Sequence, residues 1–200
     1  MNDLPSPTLP LSPVSLPRGS LHRPDAAGAR GSVEVAWARH LDEVRAAQRL
    51  RYEVFAVEMG ARLKPTLPGH DIDVFDDYCE HLLVRDAQSQ EVIGTYRVLT
   101  PAQARRIGST YSDTEFDLTR LRSLRARMVE LGRSCVHAEH RHGGVILALW
   151  GALADFMVRN QLDTMVGCAS IPMLHTGVVS GDMAASIWRQ VQQTHLAPIE

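Results

Sequence analysis

The sequence predicts an α/β chain of the α+β kind, a sandwich built on one mixed sheet flanked by helices. Three observations carry this. Period-2 and period-3.6 apolar patterns alternate along the chain. Two adjacent strand signals are separated by the short, mostly polar segment Ala87–Gln90, as a hairpin requires. Later, a strand signal, a long apolar helix and another strand signal follow in turn, as a crossover connection requires. The composition agrees: of 200 residues, 44% are apolar and 22% charged, an ordinary globular balance.

Six of the eleven prolines precede Ala26. Pro5, Pro7, Pro10, Pro13 and Pro17 each remove a backbone donor, so residues 1–30 are expected to be a disordered leader before a domain over 31–200. Val33, Val35 and Trp37 alternate with shorter or charged residues and predict a strand. Val44, Ala47, Leu50, Val54 and Val57 recur at spacings of three and four and predict a helix ending near Gly60. Pro65, Pro68, Gly69 and four aspartates make Lys64–Tyr78 an acidic loop. Glu80–Arg85 and Glu91–Leu99 are the predicted hairpin strands, turning at Ala87–Gln90. Leu118–Leu124 reads as a short helix and Arg127–His137 as a strand. Gly143-Gly144 opens an apolar helix running to about Asn160, then come a strand over Thr164–Ala169 and a helix over Ala184–His195.

The net charge is −2, so no global basic field argues for nucleic acid. Cys79, Cys135 and Cys168 are three and widely spaced, which reads as reduced thiols. The longest uncharged apolar stretch, Gly143–Ala154, is shorter than the roughly 20 residues that cross a bilayer. No basic segment followed by an apolar run opens the chain, so the expected location is cytoplasmic, with peripheral contact at the inner membrane left open.

Several residues could carry chemistry. Arg51, Phe55 and Glu58 share a helix face, and periodicity alone reads them as a surface Arg–Glu pair beside a core Phe. Asp71, Asp73, Asp76 and Asp77 repel one another unless a cation neutralises them, and Arg51, Arg97 or an ammonium ligand could do so. An EF-hand would want a glycine and a closing glutamate that this loop lacks. Arg97 sits in an apolar strand, so it is either paired or on an edge facing water. Glu130 and Arg133 fall on opposite faces of a strand unless a bulge intervenes, and Gly132 suits one. Gly143 and Gly144 at a helix start could offer amides to a phosphate, although a plain turn is the commoner cause. His137, His140 and His142 lack a glutamate at zinc-enzyme spacing and read as surface histidines, so no metal is expected, while His81 beside the acidic loop is either a base or, more commonly, a satisfied strand-end histidine. Arginines between Pro101 and Arg133 would suit an acidic partner.

Taken in register, four segments resemble a known family. Arg51-Tyr52-Glu53-Val54-Phe55, Asp73-Val74-Phe75-Asp76, Gly94-Thr95-Tyr96-Arg97 and Glu130-Leu131-Gly132-Arg133 resemble the acyl-homoserine-lactone-synthase-like branch of the GNAT acyltransferases. Asp77 to Leu82, Val129 to His137 and Gly167 to Met173 resemble more closely the L-ornithine Nα-acyltransferases of bacterial ornithine-lipid synthesis. The resemblance implies a GNAT-like sheet and transfer of a 3-hydroxyacyl chain from acyl carrier protein to the α-amine of L-ornithine. Acyl carrier protein would be a co-substrate, with no permanently bound cofactor. It implies that Arg51, Phe55, Asp73, Asp76 and Arg97 bind the acceptor, that Glu130 helps deprotonate the amine beside Arg133, and that Val136, Gly143 and Gly144 meet the acyl donor. Arg141-His142-Gly143-Gly144 meets the family's pyrophosphate signature only in part, which fits a carrier-protein thioester better than coenzyme A. The chain stops at Glu200, where the family continues into further strands, so the expectation is either a truncated chain or a reduced fold lacking the C-terminal strands. An acyl-homoserine lactone synthase and a non-catalytic carrier-protein-binding module are the rival readings.

Overall fold

The computed structural model describes residues 32–196 apart from 65, 142, 172 and 176; the expected leader over 1–30 lies outside them. They fall into two units, one ending at Gly167 and one beginning at Cys168.

In the first unit, β1 (Val33–Trp37), β2 (Glu80–Asp86), β3 (Val92–Leu99), β4 (Met128–Val136) and β5 (Thr164–Val166) form one sheet in that order. The first three pairings are antiparallel and β4–β5 is parallel, so the predicted hairpin and crossover both form. Because successive strand residues point to opposite faces, each strand feeds two cores. Leu82, Val84, Val98, Val129 and Leu131 face α4 (Gly144–Arg159), which buries Val145, Leu149, Leu153, Phe156 and Met157 at helical spacing. Each such side chain contributes roughly 1.5–3 kcal/mol when fully removed from water. On the opposite face, α1 (Leu41–Tyr52) packs Leu50 against Cys135, and Phe75, Cys79 and Leu99 form a third cluster under the acidic loop.

Three departures from expectation position the site. The helix from Leu41 changes at Glu53 into a π-helical turn, Glu53–Glu58. Its i→i+5 bonding rotates later side chains relative to an α-helix, so Arg51 and Glu58 do not pair with each other. Between β3 and β4 the chain inserts α2 (Pro101–Ile107) and α3 (Ser112–Glu115), unforeseen from the sequence, while Leu118–Leu124 forms only a 3₁₀ turn at Thr119–Leu121. The strand expected to reach Ala169 ends at Val166. A Cβ at Gly167 would lie 2.5 Å from the Leu131 backbone oxygen, so only glycine allows this close approach of β5 to β4.

β4 carries a bulge. Thr95 pairs Cys135 and Arg97 pairs Gly132, so between these pairs one residue of β3, Tyr96, opposes two of β4, Arg133 and Ser134. The left-handed residue is Arg133, at φ +49°, rather than Gly132. The extra residue puts Cys135 on the same face as Gly132 and Glu130, which an unbroken period of two would forbid.

The second unit holds a short hairpin, β6 (Leu174–His175) and β7 (Val178–Val179), turning through Gly177 at φ +79°, then α5 (Asp182–His195). Met183, Ile187 and Val191 make an apolar stripe on α5, all exposed.

Candidate active site

The acidic loop is neutralised from within. Arg51 is 1% exposed; its Nε donates to Asp71 Oδ2 at 3.0 Å and its Nη2 to both Asp76 oxygens at 2.8 and 2.9 Å. Arg97 donates through Nη1 to Asp73 Oδ1 at 2.6 Å and to Asp76 Oδ1 at 3.4 Å. Arg133 completes the set, with Nε 3.4 Å from Asp71 Oδ2 and Nη2 3.6 Å from Asp73 Oδ2. Three carboxylates therefore face three guanidiniums. The surface Arg–Glu pair read from periodicity does not form: Glu58 instead holds Arg141 through two hydrogen bonds of 2.5 and 2.6 Å. Arg97 lies on the central part of the sheet, buried and paired, not on an edge facing water.

Burial alone would raise the Asp76 carboxyl, but Arg51, Arg97 and His81 outweigh it and hold the group below its usual range. Burial pushes His81 down to about 4, against the pull of Asp76, so the ring is neutral at pH 7. Its Nε2 contacts the Asp76 backbone oxygen at 3.0 Å, while its Nδ1 is buried without a hydrogen-bond partner among the described residues.

Exposure divides this network in two. The Arg51 and Asp76 side chains are 1% and 2% exposed, whereas Asp73 and Arg133 are 22% and 29% exposed. The first pair is scaffold and the second is reachable by a ligand. Phe55 lies beneath the Arg133 guanidinium, 5.9 Å from ring centroid to Cζ, a cation–π contact that helps fix the arginine.

Glu130 shares the face of Arg97, because it pairs Leu99 two residues along. Its Oε1 accepts from Ser112 N at 2.6 Å and its Oε2 from Tyr111 N at 2.8 Å. The buried carboxylate thus ties the α3 segment to β4. Each oxygen still has a second lone-pair direction for another partner.

On the other face of the sheet, a cavity of about 310 Å³ opens beside the bulge. Tyr96, Ser134 and Val136 line it from the strands, and Ile146, Leu149 and Trp150 from the first turns of α4, with Arg141 beside them. Gly143, at φ +95°, and Gly144 start that helix; of the three expected donor residues, Val136 lines the cavity and the two glycines are not among its lining residues. Tyr96 meets Trp150 edge-on at 6.2 Å and hydrogen-bonds Ser134. The sequence did not single out Tyr96, Ser134, Ile146 or Trp150. The available signal was α4 itself, whose outward Ile146, Leu147 and Trp150 are as apolar as its core face.

Cys135 borders the cavity, yet burial pushes its thiol up to about 12, which leaves it inert as a nucleophile. The acidic loop and the cavity occupy opposite faces and meet at the bulge, where Arg133 faces the aspartates and Ser134 the cavity.

Residues 50–151 match the Acetyltransferase (GNAT) domain family. The chain is 39% identical over 181 residues to an L-ornithine N(alpha)-acyltransferase of Rhodobacter capsulatus, covering 86% of this chain and 67% of that one. It is 40% identical over 162 residues to the enzyme of the same name from Brucella abortus, covering 74% and 57%. It therefore spans between about half and two thirds of the length of the curated relatives it matches. The solved structure of the AHL synthase LasI superposes with a TM-score of 0.50 at 18% identity, covering 68% of this chain and 72% of that one, a likeness of fold.

Proposed function

Because the chain belongs to the GNAT acyltransferases and, within them, to the L-ornithine N(alpha)-acyltransferase family, we propose that it moves a 3-hydroxyacyl chain from acyl carrier protein to the α-amine of L-ornithine, forming lyso-ornithine lipid. The observation that supports this best is the pair of opposed sites joined at one bulge. A charged acceptor pocket and an apolar donor cavity on opposite faces let an amine reach a thioester beside the bulge, where β4 runs on past its pairing with β5 at Glu130, without either substrate crossing the other.

In this reading Asp73 and Arg133, the two exposed members of the network, meet the ammonium and carboxylate of the amino acid, while Arg51, Arg97 and Asp76 hold them in place. The uncharged α-amine attacks the thioester carbon, the C–S bond breaks from the tetrahedral intermediate, and the thiolate leaves to take a proton. Glu130 accepts the amine's proton directly or through a water using its free lone pairs. Backbone N–H groups released from the ladder at the bulge donate to the developing oxyanion. The acyl chain enters between Tyr96, Val136 and Trp150, next to Gly143 and Gly144. No acyl-enzyme is required. Acyl carrier protein docks on exposed arginines, among them Arg105, Arg106 and Arg122, by charge complementarity. Arg125 is committed elsewhere, donating to both oxygens of Asp113 at 2.9 and 2.5 Å. The product is amphiphilic, so its release at the inner membrane surface belongs to the same proposal.

The test is an assay of purified protein with 3-hydroxyacyl carrier protein and either L-ornithine or S-adenosylmethionine, read by mass spectrometry. An N-acylornithine product supports the proposal. A lactone product, or carrier binding with no transfer to either amine, overturns it.

A further inference from the structure

The turn between β4 and α4 holds side chains that acyl transfer leaves unused. His137, Glu139 and His140 surround a single 3₁₀ turn, Ala138–His140, and one ligand atom from each lies within 4.8 Å of the others. The spacing alone shows no zinc-enzyme pattern, because the carboxylate sits between the histidines on a turn tighter than an α-helix. The two imidazole rings are 5.7 Å apart, centroid to centroid. Two ligand nitrogens on one tetrahedral zinc lie about 3.3 Å apart, given metal bonds of about 2.0–2.1 Å. Closing on an ion therefore asks for side-chain rotation rather than backbone rebuilding.

The backbone is already fixed: His137 N donates to Ile93 O at 2.8 Å, and His140 N to His137 O at 2.9 Å. A second carboxylate arrives from the π-helical turn, with Glu53 Oε1 3.5 Å from His137 Nε2. Glu58 and Asp86 add negative charge around the two rings, offset on one side by Arg141 on Glu58. Surface pairing explains a single His–Glu contact. It does not explain two imidazoles and a carboxylate gathered within 4.8 Å on one turn, with Glu53 from a separate segment against His137.

We propose that His137, Glu139 and His140, with Glu53 within reach, bind one divalent cation of the zinc class and so fasten the β4–α4 turn to the π-helical end of α1. Mixed imidazole and carboxylate donors favour zinc, nickel or copper over magnesium and calcium, which prefer all-oxygen sites. The site is independent of the acyl-transfer chemistry, so either can stand without the other.

The test is calorimetric titration of zinc chloride into the metal-stripped, tag-free chain carrying Cys168→Ser, which removes the exposed thiol as a competing ligand. One zinc per chain in the micromolar range is expected, with no heat from magnesium. His137→Ala/His140→Ala should weaken binding at least about tenfold and abolish the rise in Tm that zinc produces. Glu139→Gln, a milder change on the same turn, should weaken it less. Absence of zinc binding, or equal affinity in both variants and parent, overturns the proposal.

Discussion

Arg51 shows how much of this site is structural. It is almost fully buried between Asp71 and Asp76, so Arg51→Met would leave two carboxylates buried without their main partner. Breaking a buried pair in this way costs about 3–5 kcal/mol. Chemical denaturation should show a loss of that size, and a loss below about 1 kcal/mol would mean the network is not a stability element. Glu130→Gln probes the opposite kind of residue. The amide keeps one acceptor for the 111–112 amides, so a general base predicts turnover slowed by about a hundredfold or more. A purely tethering role predicts a lower Tm with turnover nearly intact. Residue types alone made part of this legible: four aspartates close in sequence demanded cations, and Arg51 and Arg97 were the candidates. The division into buried scaffold and reachable pair was not, because it depends on how deep the sheet places each side chain.

At the scale of elements, the bulge and the π-helical turn do the positioning. Both are breaks in a period, and period is what a sequence shows best. The sequence therefore revealed that Glu130 and Arg133 needed a bulge to cooperate, yet favoured Gly132 as its centre where the structure uses Arg133. It showed an apolar stripe continuing past Tyr52, and that stripe concealed the switch to i→i+5 bonding. The packing of α4 on the sheet gives a sharper test. A Cβ at Gly94 would lie 2.5 Å from Val145 Cγ1, which is itself buried on the helix. Gly94→Ala should force α4 outward at a cost of about 1–3 kcal/mol, read as a lower denaturation midpoint. Gly132→Ala meets nothing within 4 Å and should change stability far less. Equal effects from the two substitutions would contradict the register described.

For the whole molecule, pH ties the two faces of the sheet together through neighbours on β2. Burial raises Glu80 from 4.5 to about 7, so its contribution to stability is present below pH 4.5 and is lost as pH rises through about 7. His81 is lowered from 6.5 to about 4, chiefly by burial. Its contribution is present above pH 6.5 and is lost as pH falls toward about 4. The two oppose each other between pH 4.5 and 6.5, and stability there should vary little. Glu80→Gln removes one side of that balance, so the variant's stability should climb with pH across this window, by on the order of 3 kcal/mol at most. A flat profile in the variant would contradict the burial described for His81. Among the described residues no helix is long and apolar enough to cross a membrane.

The central claim is that acceptor and donor occupy opposite faces and meet only at the bulge. Steady-state kinetics of two variants test it most directly. Asp73→Asn should raise the KM for L-ornithine about tenfold while leaving the KM for the acyl carrier thioester unchanged, and Trp150→Ala should do the reverse. If either variant shifts both constants equally, the two sites are not separate and the arrangement proposed for acyl transfer is wrong.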